Sequence, residues 1–284
     1  MSAPVLEISN LSVRLPNDLK VLNTVDLRVE PGEVRALVGE SGAGKSMLGK
    51  AVLGILPAGL RQTGRITVLG QALDQLPASV RRREVARHVS LIPQDPLTAL
   101  NPVRPIAAQM TDAMVRIHGW PRRKALARAA DLLEQVHIRD VARVLKSYPH
   151  ELSGGMRQRV LIAAAFATEP KLIVADEPTT ALDATVQREI LRIIRGLQQE
   201  TGTTVLFVTH DMGVVAQISQ RVTVLFGGRV VEHIDTEALF AGAGQGHAYS
   251  RALIRATPDW TRSDAPFAPV PPEVIADLMQ EQTR

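Results

Sequence analysis

Eight consecutive residues, Gly39-Glu40-Ser41-Gly42-Ala43-Gly44-Lys45-Ser46, have the composition and spacing of a phosphate-binding loop. Their glycines let successive backbone N–H groups face one anion. Lys45 can reach the β- and γ-phosphate oxygens, and the Ser46 hydroxyl suits Mg²⁺. A second candidate is the apolar run Leu172-Ile173-Val174-Ala175, which ends in Asp176-Glu177. A buried strand there would deliver Asp176 to the end of a sheet where ligands bind, to hold Mg²⁺ directly or through water. The adjacent Glu177 could then polarise an attacking water, although two acids at a strand end can also merely cap a helix. Gln94, after a strand ending at Ile92-Pro93, could contact the metal or that water. His210, at the end of Val205-Leu206-Phe207-Val208-Thr209, could donate to a γ-phosphate, with Asp211 orienting it or capping the next helix. Alone, a surface glutamine and a strand-end histidine are more often structural. Leu152-Ser153-Gly154-Gly155-Met156 is the remaining candidate: two glycines and a hydroxyl can present donors to an anion, especially where a helix begins at about Met156.

These residues need strands and helices to position them. Val34–Val38 is a short apolar strand running straight into the phosphate loop, and 45–55 reads as the helix that follows. The segments 88–92, 171–175, 204–209 and 222–226 are further buried strands, nearly continuous in apolar and β-branched residues, as a parallel sheet covered on both faces requires. Gly227-Gly228 reads as a hairpin turn into 229–234. The texture changes at Pro96: 105–119, 121–136 and 139–147 read as helices, the first two opening on proline. The expected organisation is therefore an α/β core over 1–95 and 166–243, a helical insert over 96–165, and an extension over 244–284. That extension reads as a helix at 249–256, an extended proline-rich stretch and a short helix at 272–280.

Composition bounds the partners. The chain has 284 residues, 45% of them hydrophobic and 22% charged, which is ordinary for a globular protein. No apolar run approaches the ~20 residues of a spanning helix, and the first residues lack the pattern of an export signal, so a cytosolic protein is expected. Zero cysteines exclude disulfides and Cys-ligated zinc or iron–sulfur clusters within this sequence. The formal charge of +4, with acidic residues spread throughout, reads as a basic surface rather than a nucleic-acid partner.

Taken in order, the phosphate loop, Gln94, Leu152-Ser153-Gly154-Gly155, Asp176-Glu177, Leu182-Asp183 and His210 resemble the ATP-binding subunits of ABC transporters over about residues 5–240. The resemblance implies a P-loop NTPase fold: an ABC-type, RecA-like core with an N-terminal antiparallel β part, an inserted helical subdomain and a short C-terminal extension. It implies ATP and Mg²⁺ as ligands, the metal held by Ser46, Gln94 and Asp176. Glu177 is then the catalytic base, assisted by Gln94 and His210. It also implies a head-to-tail dimer in which Ser153, Gly154 and Gly155 contact ATP held by the other subunit, and Ala181-Leu182-Asp183 crosses the same interface.

Longer strings are similar to the oligopeptide, dipeptide and nickel importers. These are Gln94-Asp95-Pro96-Leu97-Thr98-Ala99-Leu100-Asn101-Pro102, Tyr148-Pro149-His150-Glu151, Asp176-Glu177-Pro178-Thr179-Thr180-Ala181-Leu182-Asp183, and His247-Ala248-Tyr249-Ser250-Arg251-Ala252-Leu253. Leu53-Gly54-Ile55-Leu56-Pro57-Ala58-Gly59 followed by Gln62-Thr63-Gly64, and Arg143-Val144-Leu145-Lys146 before Tyr148, tilt towards the nickel-import subunit. The resemblance implies a second, different ATPase subunit, two membrane permease subunits and an extracytoplasmic binding protein, with this chain peripheral on the cytoplasmic face of the inner membrane. Rivals are a soluble ABC ATPase acting on nucleic acid and an exporter ATPase. The chain departs from the family in two ways. It has none of the cysteines from which some members build an iron–sulfur cluster. It also has no Phe, Tyr or Trp before Trp120, so Val13-Arg14-Leu15-Pro16 lacks the ring that usually stacks on adenine, and weak discrimination between bases is expected.

Overall fold

A computed structural model describes residues 3–180, 182–241, 246–256 and 270–281. The chain opens with two antiparallel strands, β1 (Leu6–Arg14) and β2 (Lys20–Val29), then enters the central strand β3 (Val34–Val38). The phosphate loop leads to α1 (Lys45–Leu53), and β4 (Arg61–Val68) and β5 (Gln71–Ala72) return to the first sheet. After α2 (Ala78–His88) and β6 (Val89–Ile92) the chain becomes helical, with α3 (Pro96–Ala99), α4 (Ile106–Arg116), α5 (Arg122–Gln135), α6 (Val141–Lys146) and α7 (Gly154–Phe166). Strand–helix alternation then resumes through β7 (Leu172–Asp176), α8 (Ala184–Thr201), β8 (Thr204–Val208), α9 (Met212–Ile218) and β9 (Arg221–Phe226). The chain finishes with β10 (Arg229–Asp235), α10 (Thr236–Phe240), α11 (Ala248–Ala256) and α12 (Pro272–Glu281).

Two sheets result. The antiparallel one runs β2-β1-β4-β5; the other runs β10-β9-β3-β8-β7-β6, parallel except for β10. Strands β3, β7 and β8 are apolar along almost their whole length because helices cover both faces, and all the core side chains they carry are buried. One apolar cluster joins the helices α4, α5 and α7 to this sheet; a second joins α1 to the antiparallel sheet; a third sits under α11 and α12.

Several boundaries differ from the sequence expectation, for local reasons. Helix α1 stops at Leu53 because Gly54 turns left-handed (φ +67°) and its N–H caps the Ala51 and Lys50 carbonyls. Pro105 and Pro121 stand one residue before α4 and α5, as extended N-caps rather than first helical residues. Helix α7 begins at Gly154, two residues earlier than expected, because the Ser153 side chain accepts from the Met156 N–H at 3.3 Å. The Gly244 boundary, Ala181, and Pro258, Pro266 and Pro269 lie outside the described residues.

The two sheets are tied together at Arg35. Its side chain, only 5% exposed, lies 2.6 Å from Glu33 and donates to the Arg28 carbonyl of β2 at 3.1 Å. Removing the carboxylate strands a buried guanidinium. We expect Glu33→Ala to lower stability by about 3 kcal/mol in urea unfolding, and Glu33→Leu with Arg35→Met to regain most of it.

Candidate functional site

The phosphate loop is shaped by its neighbours. A Cβ added at Gly39 would lie 2.2 Å from the Leu225 carbonyl oxygen of β9. One added at Gly44 (φ +99°) would lie 2.8 Å from a Leu22 methyl and 3.0 Å from the Val21 carbonyl oxygen of β2. The β9–β10 turn closes the other side, with Gly228 donating to Ala43 O at 3.1 Å and accepting from Asn23 N–H at 2.8 Å. The loop is thus wedged between the sheets and hands Lys45 to the start of α1.

Lys45 is buried, and its Nζ donates to the Gly39 and Glu40 carbonyls of its own loop, at 2.8 and 2.9 Å. Burial pulls its pKa below the usual lysine value, and the charges of Glu177, Asp176 and Glu40 oppose that pull. An ammonium held with poor solvation beside a ring of donors is suited to phosphate oxygens. Asp176, at the end of β7, accepts from the Ser46 hydroxyl at 2.9 Å. Burial raises its pKa; the Ser46 hydrogen bond counters that, and the neighbouring Glu177 charge adds to it. Two hard oxygens brought together beside the loop fit Mg²⁺, which typically takes one or two protein ligands alongside phosphate oxygens and water.

Glu177 follows in a left-handed conformation (φ +46°), costly for a residue with a Cβ. Its N–H bonds to Val208 O at 3.0 Å, and its carboxylate is clamped by three side chains. Gln94 Nε2 donates to Oε2 at 3.2 Å, Thr180 Oγ1 donates to the same oxygen at 2.9 Å, and His210 Nδ1 lies 3.2 Å from Oε1. Gln94 and His210 sit just beyond β6 and β8, the strands neighbouring or flanking β7, so the parallel sheet delivers all three groups to one edge. Thr180 was not anticipated: a hydroxyl in the turn after Glu177 carries no spacing signal.

A cavity of about 800 Å³ lies over the loop, lined by Gly39 to Ser46 except Ala43, and by Gln94, Glu177 and His210. Ser153, Gly154, Gly155 and Asp183 do not line it. Asp183 caps α8, accepting from Thr185 and Val186 N–H at 3.0 Å each, and Asp211 caps α9 while accepting from Gln187. Gly154 and Gly155 have ordinary negative-φ helical backbone, and a Cβ added at either would meet nothing within 4 Å. The chain's own packing therefore gives no reason for glycine there.

A parallel sheet whose central strand runs through a phosphate loop into a helix, with an acid delivered alongside by a sister strand, is the P-loop NTPase fold. The chain belongs to the ABC transporter family: residues 22–180 match the family model of that description. It is 43% identical to a probable peptide ABC transporter ATP-binding protein of Sinorhizobium fredii, over 92% of this chain and 78% of that one. It is 43% identical to the probable D,D-dipeptide transport ATP-binding protein of Escherichia coli, over 91% and 80%. The dipeptide transport ATP-binding protein of the same bacterium is 38% identical over 94% and 82%. Among solved structures, it superposes with a TM-score of 0.74 on cbiO1 from Clostridium perfringens, part of an ABC transporter complex (26% identity, 85% of this chain and 92% of that chain). With the bacterial ABC transporter cassette MJ0796, whose structure is dimeric, the TM-score is 0.71 (25% identity, 81% and 98%).

The wedge at Gly44 makes a direct prediction. Gly44→Ala should cost on the order of 2 kcal/mol through strain at a positive φ and the clash with β2, and should abolish nucleotide binding. Thermal melting and ATP titration check it; an unchanged melting temperature with normal binding would show that the loop accepts a Cβ.

Proposed function

We propose that the chain hydrolyses ATP to power a membrane importer of peptides or dipeptides, as one of two ATPase subunits in a head-to-tail pair. The observation that carries this reading is the Glu177 carboxylate, clamped by Gln94, Thr180 and His210 at the mouth of the phosphate-loop cavity. ATP is the substrate. Residues Gly39 to Ser46 hold its triphosphate, and Lys45 turns from its loop carbonyls to the β- and γ-phosphate oxygens. Water attacks the γ-phosphorus in line, its proton passes to Glu177, and ADP leaves as the bond to the β-phosphate oxygen breaks. His210 donates to the γ-phosphate while steadying Glu177, and Gln94 orients the water. Ser46, Asp176 and Gln94 would hold Mg²⁺, which when bound neutralises developing charge on the phosphate oxygens.

The dimer is supported by the residues that the cavity leaves out. Ser153, Gly154 and Gly155 present the N-terminus of α7 outward, with donors and dipole suited to an anion. With Asp183, they serve the ATP held by the other subunit. Peptide cargo is supported by the names of the relatives described above, which also weigh against the exporter and nucleic-acid readings; the nickel tilt rests on two short strings without counterpart in those names. No helix among the described residues is long and apolar enough to cross a membrane. The transport names of the relatives support a chain that works through two separate permease subunits, on the cytoplasmic face, beside a different homologous ATPase chain and an extracytoplasmic binding protein.

Glu177→Gln keeps the shape of the clamp and removes the base. Steady-state hydrolysis should fall by about a hundredfold or more, with ATP holding the subunits together on size exclusion. Turnover near the wild-type rate would remove Glu177 from its role.

A further inference from the structure

The cavity over the phosphate loop also has apolar lining that no phosphate contact uses: Val21 on β2, Leu253 and Ala256 on α11, and Val270 just before α12. Three of these four residues belong to the C-terminal segment, which is anchored at the loop itself. Tyr249 is fully buried on α11, its ring edge-on to Phe226 at 5.0 Å, and its hydroxyl accepts from the Glu40 N–H at 3.3 Å. Burial pushes the phenol up to about 12, so it stays protonated at any working pH. The helix is fixed from the other side by Glu232 on β10, which accepts from the Ser250 hydroxyl at 2.5 Å and the His247 N–H at 2.8 Å. Val270 belongs to the apolar cluster that also holds Ala36 and Val38 of the loop's own strand, together with Tyr249. Among the described residues, no Phe, Tyr or Trp lines the cavity.

We propose that the C-terminal segment supplies the base-binding wall of the nucleotide site, with the nucleobase seated by apolar contact against Val21, Leu253, Ala256 and Val270. This rests on the reading of the cavity as an ATP site. The wall does what a stacked ring does in burying the base, but aliphatic side chains offer neither hydrogen-bond donors nor acceptors to the purine edge. ATP and GTP therefore bind alike. Substitutions in the wall weaken both nucleotides without touching the phosphate contacts.

The test is equilibrium titration of the full chain with ATP, GTP and inorganic tripolyphosphate, comparing wild type with Leu253→Ser and Val21→Thr. Each variant is first checked for a cooperative melt. Both should bind ATP and GTP roughly five- to tenfold more weakly, as expected from lost apolar burial, with tripolyphosphate affinity unchanged. Val21→Thr is nearly isosteric and lies outside the C-terminal segment, so it remains informative should Leu253→Ser fail to fold. Unchanged nucleotide affinity in the folded variants, equal losses for tripolyphosphate, or a strong wild-type preference for ATP over GTP would overturn the wall. Failure of wild type to bind any of the three, or a Lys45→Ala variant that binds ATP as tightly as wild type, would instead strike the nucleotide site itself.

Discussion

Everything at the site depends on backbone packed against backbone at Gly39 and Gly44. The carbonyl oxygens of Leu225 and Val21 stand where side chains would have to go, so the loop between β3 and α1 is pinned to both sheets at once. That pinning sets where α1 begins, and hence where Lys45 and Ser46 point. The buried Arg35–Glu33 pair one strand-length away keeps the sheets in register for the same contact. A fold that loosened this wedge would keep its strands and lose the anion cradle. The cost of building it is borne by glycine, which gives up conformational freedom for close approach.

The electrostatics of the site suit an anion and a cation together. Glu40, Asp176 and Glu177 surround one buried ammonium, and Asp176 is pushed towards its protonated form by burial and by Glu177. Left to itself the cluster is over-supplied with carboxylates for a single lysine. A divalent cation held by Ser46 and Asp176 would relieve the repulsion. Glu177 is held by three side chains, an amide, a hydroxyl and an imidazole, where Asp176 has the Ser46 hydroxyl. Such partners fix the direction in which the carboxylate points.

The strands β3, β6, β7, β8 and β9 were legible because a parallel strand covered by helices writes its identity locally, as a short apolar run ended by a glycine, a proline or a polar residue. Strand β1 is harder. Its buried residues Leu6 and Ile8 keep a period of two, but Asn10 turns to φ +52° at a bulge and the phase slips before Leu11 and Val13. A scan for strict alternation breaks at that point. The carboxylate clamp was readable in part: Gln94 and His210 stand at strand ends, whereas Thr180 acts only because a left-handed Glu177 folds the turn back. The meeting of α11 with the phosphate loop joins Glu40 to Tyr249 across more than two hundred residues, and no local pattern encodes a contact of that range.

Gly154 and Gly155 pose the opposite problem, being legible as unusual but unexplained by the fold that contains them. Glycine in the first turn of α7 forgoes helix propensity, by up to about 1 kcal/mol per residue against alanine. The serine cap offsets some of that loss, since the Met156 N–H is satisfied by Ser153. Nothing within 4 Å would obstruct a methyl group at either position, and neither backbone needs a positive φ. At Gly39 and Gly44 the chain itself forbids a side chain; at Gly154 and Gly155 it does not. On the proposed reading, the ATP of the other subunit is what approaches this helix end from outside the chain.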